Sequence, residues 1–400
     1  MKWTALPTDS HHNFSMVVKT LFGVEQLCAE ELKMLGAENI EVQNRAVSFD
    51  GNLGVMYKAN LLLRTGLRIL IPFATFKADN EHALYDQIKA IAWEDFFSNK
   101  DTIAIDSLLK TDFFRHSQYV SQKTKDAIVD RFRERTGERP SVDLENPTVR
   151  LHIHISGDDC ELALDSSGDS LHKRGYRDKT NLAPINEVLA AALVKLTGWD
   201  ERSTFVDGMC GSGTILIEAA MAAANIPAGY HIEEFGFMRW KQVLPFDKPL
   251  WDKIWESAIE RISSENIALY GIEISPNVAR KAKANILASK TEDMIKVRIA
   301  DFTTTDPPAA SGKPILILNP PYGERMDKDN VEELYKQIGD TFKQRYKGYE
   351  CWIISSNMEA LKHIGLKPDR RIPMFNGALE CRFVKFTIYD GTKRTKFKES

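Results

Sequence analysis

Apolar positions in the first 165 residues switch between the period-two spacing of strands and the three-to-four spacing of helices. The run Ser15 to Lys19 predicts a strand, and Val24 to Met34 an amphipathic helix closed by Gly36. Alternating Val47 and Phe49 lead into a helical run from Leu53 to Leu63, and Thr65 to Lys77 is extended. Residues 81–97 predict a helix, 102–110 a strand, Gln122 to Arg135 a basic amphipathic helix, and Val149 to Ile155 a strand with His152 and His154 on one face. The pattern is a small α+β region ending near Asp165.

After a polar passage from Asp165 to Thr180, the rhythm becomes strand, helix, strand, helix, the signature of a parallel doubly wound sheet. Helix Ile185 to Leu196 precedes strand Thr204 to Val206, a glycine-rich turn and helix Thr214 to Ala224. Strand Ala268 to Ile272 precedes helix Pro276 to Ala288, and strand Ile295 to Ile299 ends at Asp301. Strand Pro314 to Leu318 runs into Asn319-Pro320-Pro321-Tyr322, followed by helix Val331 to Tyr346 and strand Cys351 to Ser355. Asn376-Gly377, suited to a type I′ turn, predicts a closing antiparallel hairpin whose long last strand is Leu379 to Tyr389. The segment Asn225 to Asn266 interrupts this rhythm with Phe235, Phe237, Trp240, Phe246, Trp251 and Trp255. Aromatics in such an insertion can stack on bases, but the i to i+4 spacing of Trp251 and Trp255 favours helix packing.

Length narrows this picture: 400 residues favour two or three domains, and ordinary composition, 43% hydrophobic and 27% charged, excludes a disordered chain. No apolar stretch reaches the roughly 20 residues of a membrane span. The polar N-terminus lacks a signal-peptide core, and five scattered cysteines point to a reduced, cytoplasmic protein. A net charge of −3 argues against a purely electrostatic nucleic-acid coat. Basic residues nonetheless gather at Lys123–Arg139, Lys173–Lys179, Arg280–Arg298 and Lys362–Lys398.

The turn Asp207-Gly208-Met209-Cys210-Gly211-Ser212-Gly213-Thr214 lies between a β-branched strand and an apolar helix, where glycines let the backbone approach a nucleotide-like ligand. Its spacing is neither G-x-G-x-x-G nor a P-loop, which removes support for hydride transfer and nucleoside triphosphate hydrolysis. Glu273 ends the next strand, placed to accept both hydroxyls of a ribose; Glu233 and Glu234 have competing spacing but no strand before them. At the third strand end Asp301 can accept from an adenine amino group and Phe302 can cover the ring face; helix capping competes for each acid. Asn319-Pro320-Pro321-Tyr322-Gly323-Glu324-Arg325 is the decisive run. Two prolines remove two backbone donors, so the Asn319 oxygen and the Pro320 carbonyl can accept from an exocyclic amine and aim its lone pair at a methyl donor. Tyr322 offers a face for an extruded base. His152-x-His154 has no third partner, so no metal is expected, and Cys210 is assigned no chemistry.

Asp207 to Thr214 and Asn319 to Arg325 resemble the class I S-adenosylmethionine-dependent methyltransferases, specifically the THUMP-domain RNA guanine-N2 methyltransferases, the nearest resemblance being to the bacterial 23S ribosomal RNA enzymes. Ser117-Gln118-Tyr119 with its basic helix resembles the THUMP module, and His172 to Arg177 the family's interdomain joint. The resemblance implies a ferredoxin-like α+β module over 1–65, a THUMP RNA-binding domain over 66–165, and a Rossmann-like methyltransferase domain over 166–400. It implies S-adenosylmethionine at Asp207, Gly208, Gly211, Gly213, Glu273, Asp301 and Phe302, with Asn319, Pro320, Pro321 and Tyr322 at the target amine. Lys123, Lys125, Arg131, Arg133, Arg135, Lys173, Arg174 and Arg177 are the expected RNA contacts. Gly208 stands where the family commonly has proline, which predicts a looser cofactor turn. The expected reaction is methyl transfer to guanine N2, in 23S ribosomal RNA. An adenine-N6 methyltransferase acting on DNA or RNA, or a non-catalytic RNA assembly factor, are the alternatives.

Overall fold

A computed structural model describes residues 1–4, 6–7, 11–177, 185–263, 267–321 and 328–389. The chain forms two compact units: residues 1–20, 28–173 and 232–257 make the first, and residues 21–27, 174–231 and 258–400 the second.

The first unit is built on one nine-stranded sheet. Its central strand, Arg68–Lys77, pairs antiparallel with Phe14–Lys19 on one side and with Asp159–Asp165 on the other. Helices Glu81–Lys89 and Ser117–Thr136 accompany the sheet, the second burying Val120, Ile128 and Phe132 on one face. Asn80 caps the first helix by accepting from the amides of His82 and Ala83. The long helix predicted over 81–97 ends at Lys89 and resumes as a 3-10 turn, Trp93–Asp95, which seats the fully buried Trp93. Strand Asp159–Asp165 was not anticipated, although Cys160, Leu162 and Leu164 keep a period of two.

The aromatic insertion belongs to this unit. Phe237 stacks on Tyr57 at 4.4 Å and Trp251 meets the same ring edge-on at 6.0 Å, while the Asp247 amide donates to the Tyr57 hydroxyl at 2.9 Å. Phe235, Phe237, Trp240 and Trp251 are all buried, so these aromatics form core, as their spacing favours, and offer no base-stacking face.

The second unit contains a seven-stranded sheet. In chain order its strands are β1 (Phe205–Asp207), β2 (Leu269–Glu273), β3 (Ile295–Ile299), β4 (Ile315–Leu318), β5 (Glu350–Ser355), β6 (Arg370–Asn376) and β7 (Leu379–Thr387). Across the sheet the order is 3-2-1-4-5-7-6, the first five parallel and β7 antiparallel to its neighbours. Helices Glu187–Thr197 and Thr214–Ala223 bury Leu189, Leu193, Ile215 and Ile217 in one hydrophobic cluster, and Tyr335, Ile338 and Phe342 of helix Lys328–Arg345 enter another. The strand order reverses between β1 and β4, so a crevice opens at their carboxyl ends, where open α/β sheets take their ligands. The hairpin turn differs from expectation by one residue. Asn376 pairs with Leu379, leaving Gly377-Ala378 as the loop, and only Gly377 has positive φ (62°), as in a type II′ turn.

Candidate active site

Strand β1 delivers Asp207 to the sheet's ligand end, and the following turn is pinned from below by its backbone. The Gly208 amide donates to the Ile317 carbonyl at 3.0 Å and the Cys210 amide to the Ile272 carbonyl at 2.9 Å. Gly211 (φ 53°) and Gly213 (φ 83°) adopt the left-handed conformation that side-chain-bearing residues resist. That reversal starts helix Thr214–Ala223 with its amide end toward the turn, a favourable place for acceptors and anions.

Two carboxylates face this turn with different partners. Asp207 is buried; its Oδ1 accepts from the Met209 amide at 3.2 Å, whereas Oδ2 is buried with no partner among the described residues. Burial, with a smaller push from the Glu273 charge, raises its carboxyl to about 7. Glu273, at the end of β2, accepts from the Gly211 amide at 3.1 Å and from the Ser275 amide at 2.8 Å, fastening the two loops together. Each of its oxygens keeps a second lone pair. Beyond β3, Asp301 Oδ1 accepts from the Thr303 amide and hydroxyl, both at 2.8 Å.

Phe302 departs from expectation. Its ring is 2% exposed and packs 5.4 Å from Tyr346 and 6.4 Å from Phe342, so it lies in the core and cannot cover a ligand ring. The same ring explains Gly208: a Cβ there would stand 2.6 Å from Phe302 and 2.5 Å from Leu318. The turn is therefore tightly backed at Gly208, contrary to the looseness expected for lack of a proline. A feature missed from sequence is Ile274, an apolar side chain directly after Glu273 and 67% exposed. The signal was present, since an isoleucine directly after a strand-end carboxylate is hard to bury.

At the end of β4, Asn319 Oδ1 is buried and unpartnered among the described residues. Leaving such an acceptor unsatisfied costs about 1–3 kcal/mol, which marks the position as held for something other than stability. Pro320 is buried and Pro321 exposed; Tyr322 lies outside the described residues.

Comparison with known proteins settles the family. Residues 15–70 match the RlmL ferredoxin-like domain, 78–165 the THUMP domain, and 174–385 the RMKL-like methyltransferase domain. The chain belongs to the RMKL-like methyltransferase family. A Synechocystis protein named as an RNA methyltransferase is 38% identical over 92% of this chain and 95% of its own length. The ribosomal RNA large subunit methyltransferase K/L of Syntrophotalea carbinolica is 36% identical over 92% of this chain; this chain spans 52% of that protein, about half its length. Among solved structures, a methyltransferase-like protein crystallised with S-adenosylhomocysteine, SMU.472, has a TM-score of 0.82 and 27% identity, covering 95% of this chain and 99% of that one. A Listeria monocytogenes protein predicted to be an N6-adenine-specific DNA methylase has a TM-score of 0.80 and 29% identity, covering 95% and 97%.

The cofactor of this methyltransferase is S-adenosylmethionine, and the residues present fit it. The unpartnered Asp207 oxygen suits a cationic ligand, and a Cβ built on Gly211 meets nothing within 4 Å, leaving open space above the turn. Among the described residues no group of His, Cys, Asp and Glu is arranged to hold a metal, and no helix is long and apolar enough to cross a membrane.

Three of the expected RNA contacts prove to be structural in this methyltransferase. Arg131 makes a two-pronged ion pair with Glu94 at 2.8 and 2.7 Å and donates to the Lys89 carbonyl at 3.1 Å, holding the Glu94 carboxyl down at about 2. Arg174 is buried against Glu218 at 3.4 Å, and Tyr176 donates to the same carboxylate at 3.2 Å. Arg177 pairs with Glu187 at 3.1 Å and donates to the Thr214 hydroxyl. Sequence displays these charges but not their partners. Lys123 sits 5.3 Å over the Tyr85 ring, Lys125 pairs with Asp126, and Lys173 pairs with Asp169. Arg133 and Arg135 keep more than half of their side-chain surface exposed despite pairs at 3.4 Å with Asp130 and Glu94.

Proposed function

We infer that this chain methylates the exocyclic N2 of a guanine in 23S ribosomal RNA. The observation that carries the reading is the Asn319 Oδ1, buried and unpartnered among the described residues and directly followed by two prolines. A buried acceptor at the end of β4 suits a nucleophile that bears hydrogens, which an exocyclic amine does and a purine ring N7 does not. The choice of ribosomal RNA rests on the K/L relatives by name, and that of guanine on the motif's continuation to Gly323-Glu324-Arg325.

Bound S-adenosylmethionine supplies an electrophilic sulfonium methyl group. Asn319 Oδ1 and the Pro320 carbonyl would accept the two amine hydrogens, turning the nitrogen lone pair toward that methyl and stabilising the positive charge that grows on nitrogen as the C–N bond forms and the S–CH3 bond breaks, its electron pair leaving with sulfur as S-adenosylhomocysteine. The methylated nitrogen then releases a proton to water. Asp207 and the Gly211 turn hold the cofactor's cationic end, Glu273 its ribose, and Asp301 its base. Tyr322 carries the extruded guanine. Lys123, Lys125, Arg133, Arg135 and Lys173 contact RNA phosphates.

The test is transfer of labelled methyl from S-adenosylmethionine to unmodified 23S ribosomal RNA, transfer RNA and DNA in parallel. Label in ribosomal RNA alone is expected. Label in DNA alone would replace this reading with the amine methylation of DNA.

A further inference from the structure

Described residues of the basic stretch beginning at Lys362 take no part in the site described so far, yet they line a cavity. Leu361, Leu366 and Phe386 form part of the floor of a space of about 390 Å³, and Lys362, Arg371 and Arg382 stand around it. That volume falls in the range of pockets that hold a small ligand or one nucleotide-sized group. No carboxylate lines it among the described residues. Arg371 is exposed and has no acidic partner among them. Arg382 and Lys362 pair with Glu380 and Glu359 at 2.7 Å, but every one of those carboxylates is at least 59% exposed. Exposed pairs of this kind are worth at most about 1 kcal/mol and give way readily to a phosphate.

Register places the cavity beside the chemistry. Leu318, which precedes Asn319, pairs with Ile353 of β5, and Ile353 pairs with Val384 of β7. Arg382 is paired with Ser355, the last residue of β5, and so stands level with Pro320 two strands away. At the usual strand spacing this separation is about 10 Å. Arg382 near the sheet end that receives the target base, with Arg371 and Lys362 around the same apolar floor, matches one chemistry: a phosphate flanked by a ribose or base face.

We propose that Lys362, Arg371 and Arg382 form a subsite for the RNA nucleotide adjoining the methylated guanine, gripping its phosphate while Leu361 and Leu366 support its sugar or base. The subsite rests on the reading of the chain as an RNA methyltransferase. It anchors the strand on the side of the sheet hairpin, so the target base is presented from a fixed backbone.

The test compares the full chain with Arg371→Gln/Arg382→Gln, using unmodified 23S ribosomal RNA as the probe. The double variant is expected to raise the half-saturating RNA concentration about tenfold per charge, and to lessen the slope of log affinity against log salt by about 0.7 per phosphate. S-adenosylhomocysteine binding by calorimetry stays within twofold, which reports an intact fold. Arg371→Lys/Arg382→Lys restores most of the RNA affinity, because a phosphate accepts either cation. Neutralising Lys313 and Lys336, outside the cavity, changes neither quantity. An unchanged salt slope and half-saturation in the Gln variant overturn the subsite while leaving the methyltransferase reading intact. Failure of the unaltered chain to methylate RNA overturns both.

Discussion

Asn319→Ala separates stability from chemistry in a way the structure quantifies. The parent buries the Asn319 oxygen without a hydrogen bond from any described residue, at a cost of about 1–3 kcal/mol. Truncation removes that penalty and gives up the packing of a partly buried side chain. The two effects oppose each other, so unfolding free energy should stay within about 1 kcal/mol of the parent. The methyl-transfer step loses one preorganised acceptor at the nitrogen where charge develops, for which about 2.7–4 kcal/mol is typical, a hundred- to thousandfold in rate. Single-turnover methylation at saturating RNA and cofactor reads this step; calorimetry reads S-adenosylhomocysteine affinity, which should move by no more than a few-fold because Asp207, Glu273 and Asp301 remain. Asn319→Asp keeps an acceptor and should recover at least tenfold over Ala. Glu273→Ala should do the reverse, weakening cofactor binding first, since ribose hydroxyls do not change charge in the reaction. A near-native single-turnover rate in Asn319→Ala, or a fall in stability of about 3 kcal/mol, would refute the amine-accepting role.

Asp207 gives a pH dependence with a definite sign. Its carboxyl is raised by burial to about 7, so at pH 6 it is mostly protonated and at pH 8 mostly ionised. A cationic cofactor binds the ionised form, so affinity should rise about tenfold from pH 6 to pH 8, with proton release near neutrality measurable by calorimetry in buffers of different ionisation enthalpy; Asp207→Asn should flatten the profile. Gly208→Ala forces the buried Phe302 and Leu318 side chains aside and should cost about 1–3 kcal/mol in chemical denaturation. Arg131→Ala should destabilise the fold by about 1–2 kcal/mol through loss of its two-pronged pair with Glu94 and its bond to the Lys89 carbonyl, whereas Arg133→Gln/Arg135→Gln should leave denaturation midpoints unchanged and lower the salt dependence of RNA binding. The opposite assignment of those two effects would show that the helix's exposed cations are a solvated face.

Local signals carried much of this fold into the sequence. The second sheet announces itself because each strand is a short apolar run closed by glycine, proline or an acid, and those closing residues, Asp207, Glu273, Asp301 and Asn319, are what the fold gathers at one end. Long-range partnership is where the reading failed. Nothing near Phe237 tells that its stacking partner is Tyr57, 180 residues earlier, so sequence alone does not show which unit the insertion packs in. Arg131 and Arg174 look like free cations until Glu94 and Glu218 are found beside them. Phe302 looks exposed because it follows a strand-end acid, yet the missing side chain at Gly208 lets it sink into the core. The hairpin slipped by one position because Asn-Gly and Gly-Ala both permit a tight turn, and strand pairing decides between them.

The nitrogen that receives the methyl group can be read directly from the product. Unmodified 23S ribosomal RNA, methylated by the full chain with labelled S-adenosylmethionine and digested to nucleosides, should carry its label in N2-methylguanosine when resolved by mass spectrometry. Label in N6-methyladenosine or N7-methylguanosine would contradict the account, the first by changing the base and the second by removing any need for the Asn319 acceptor.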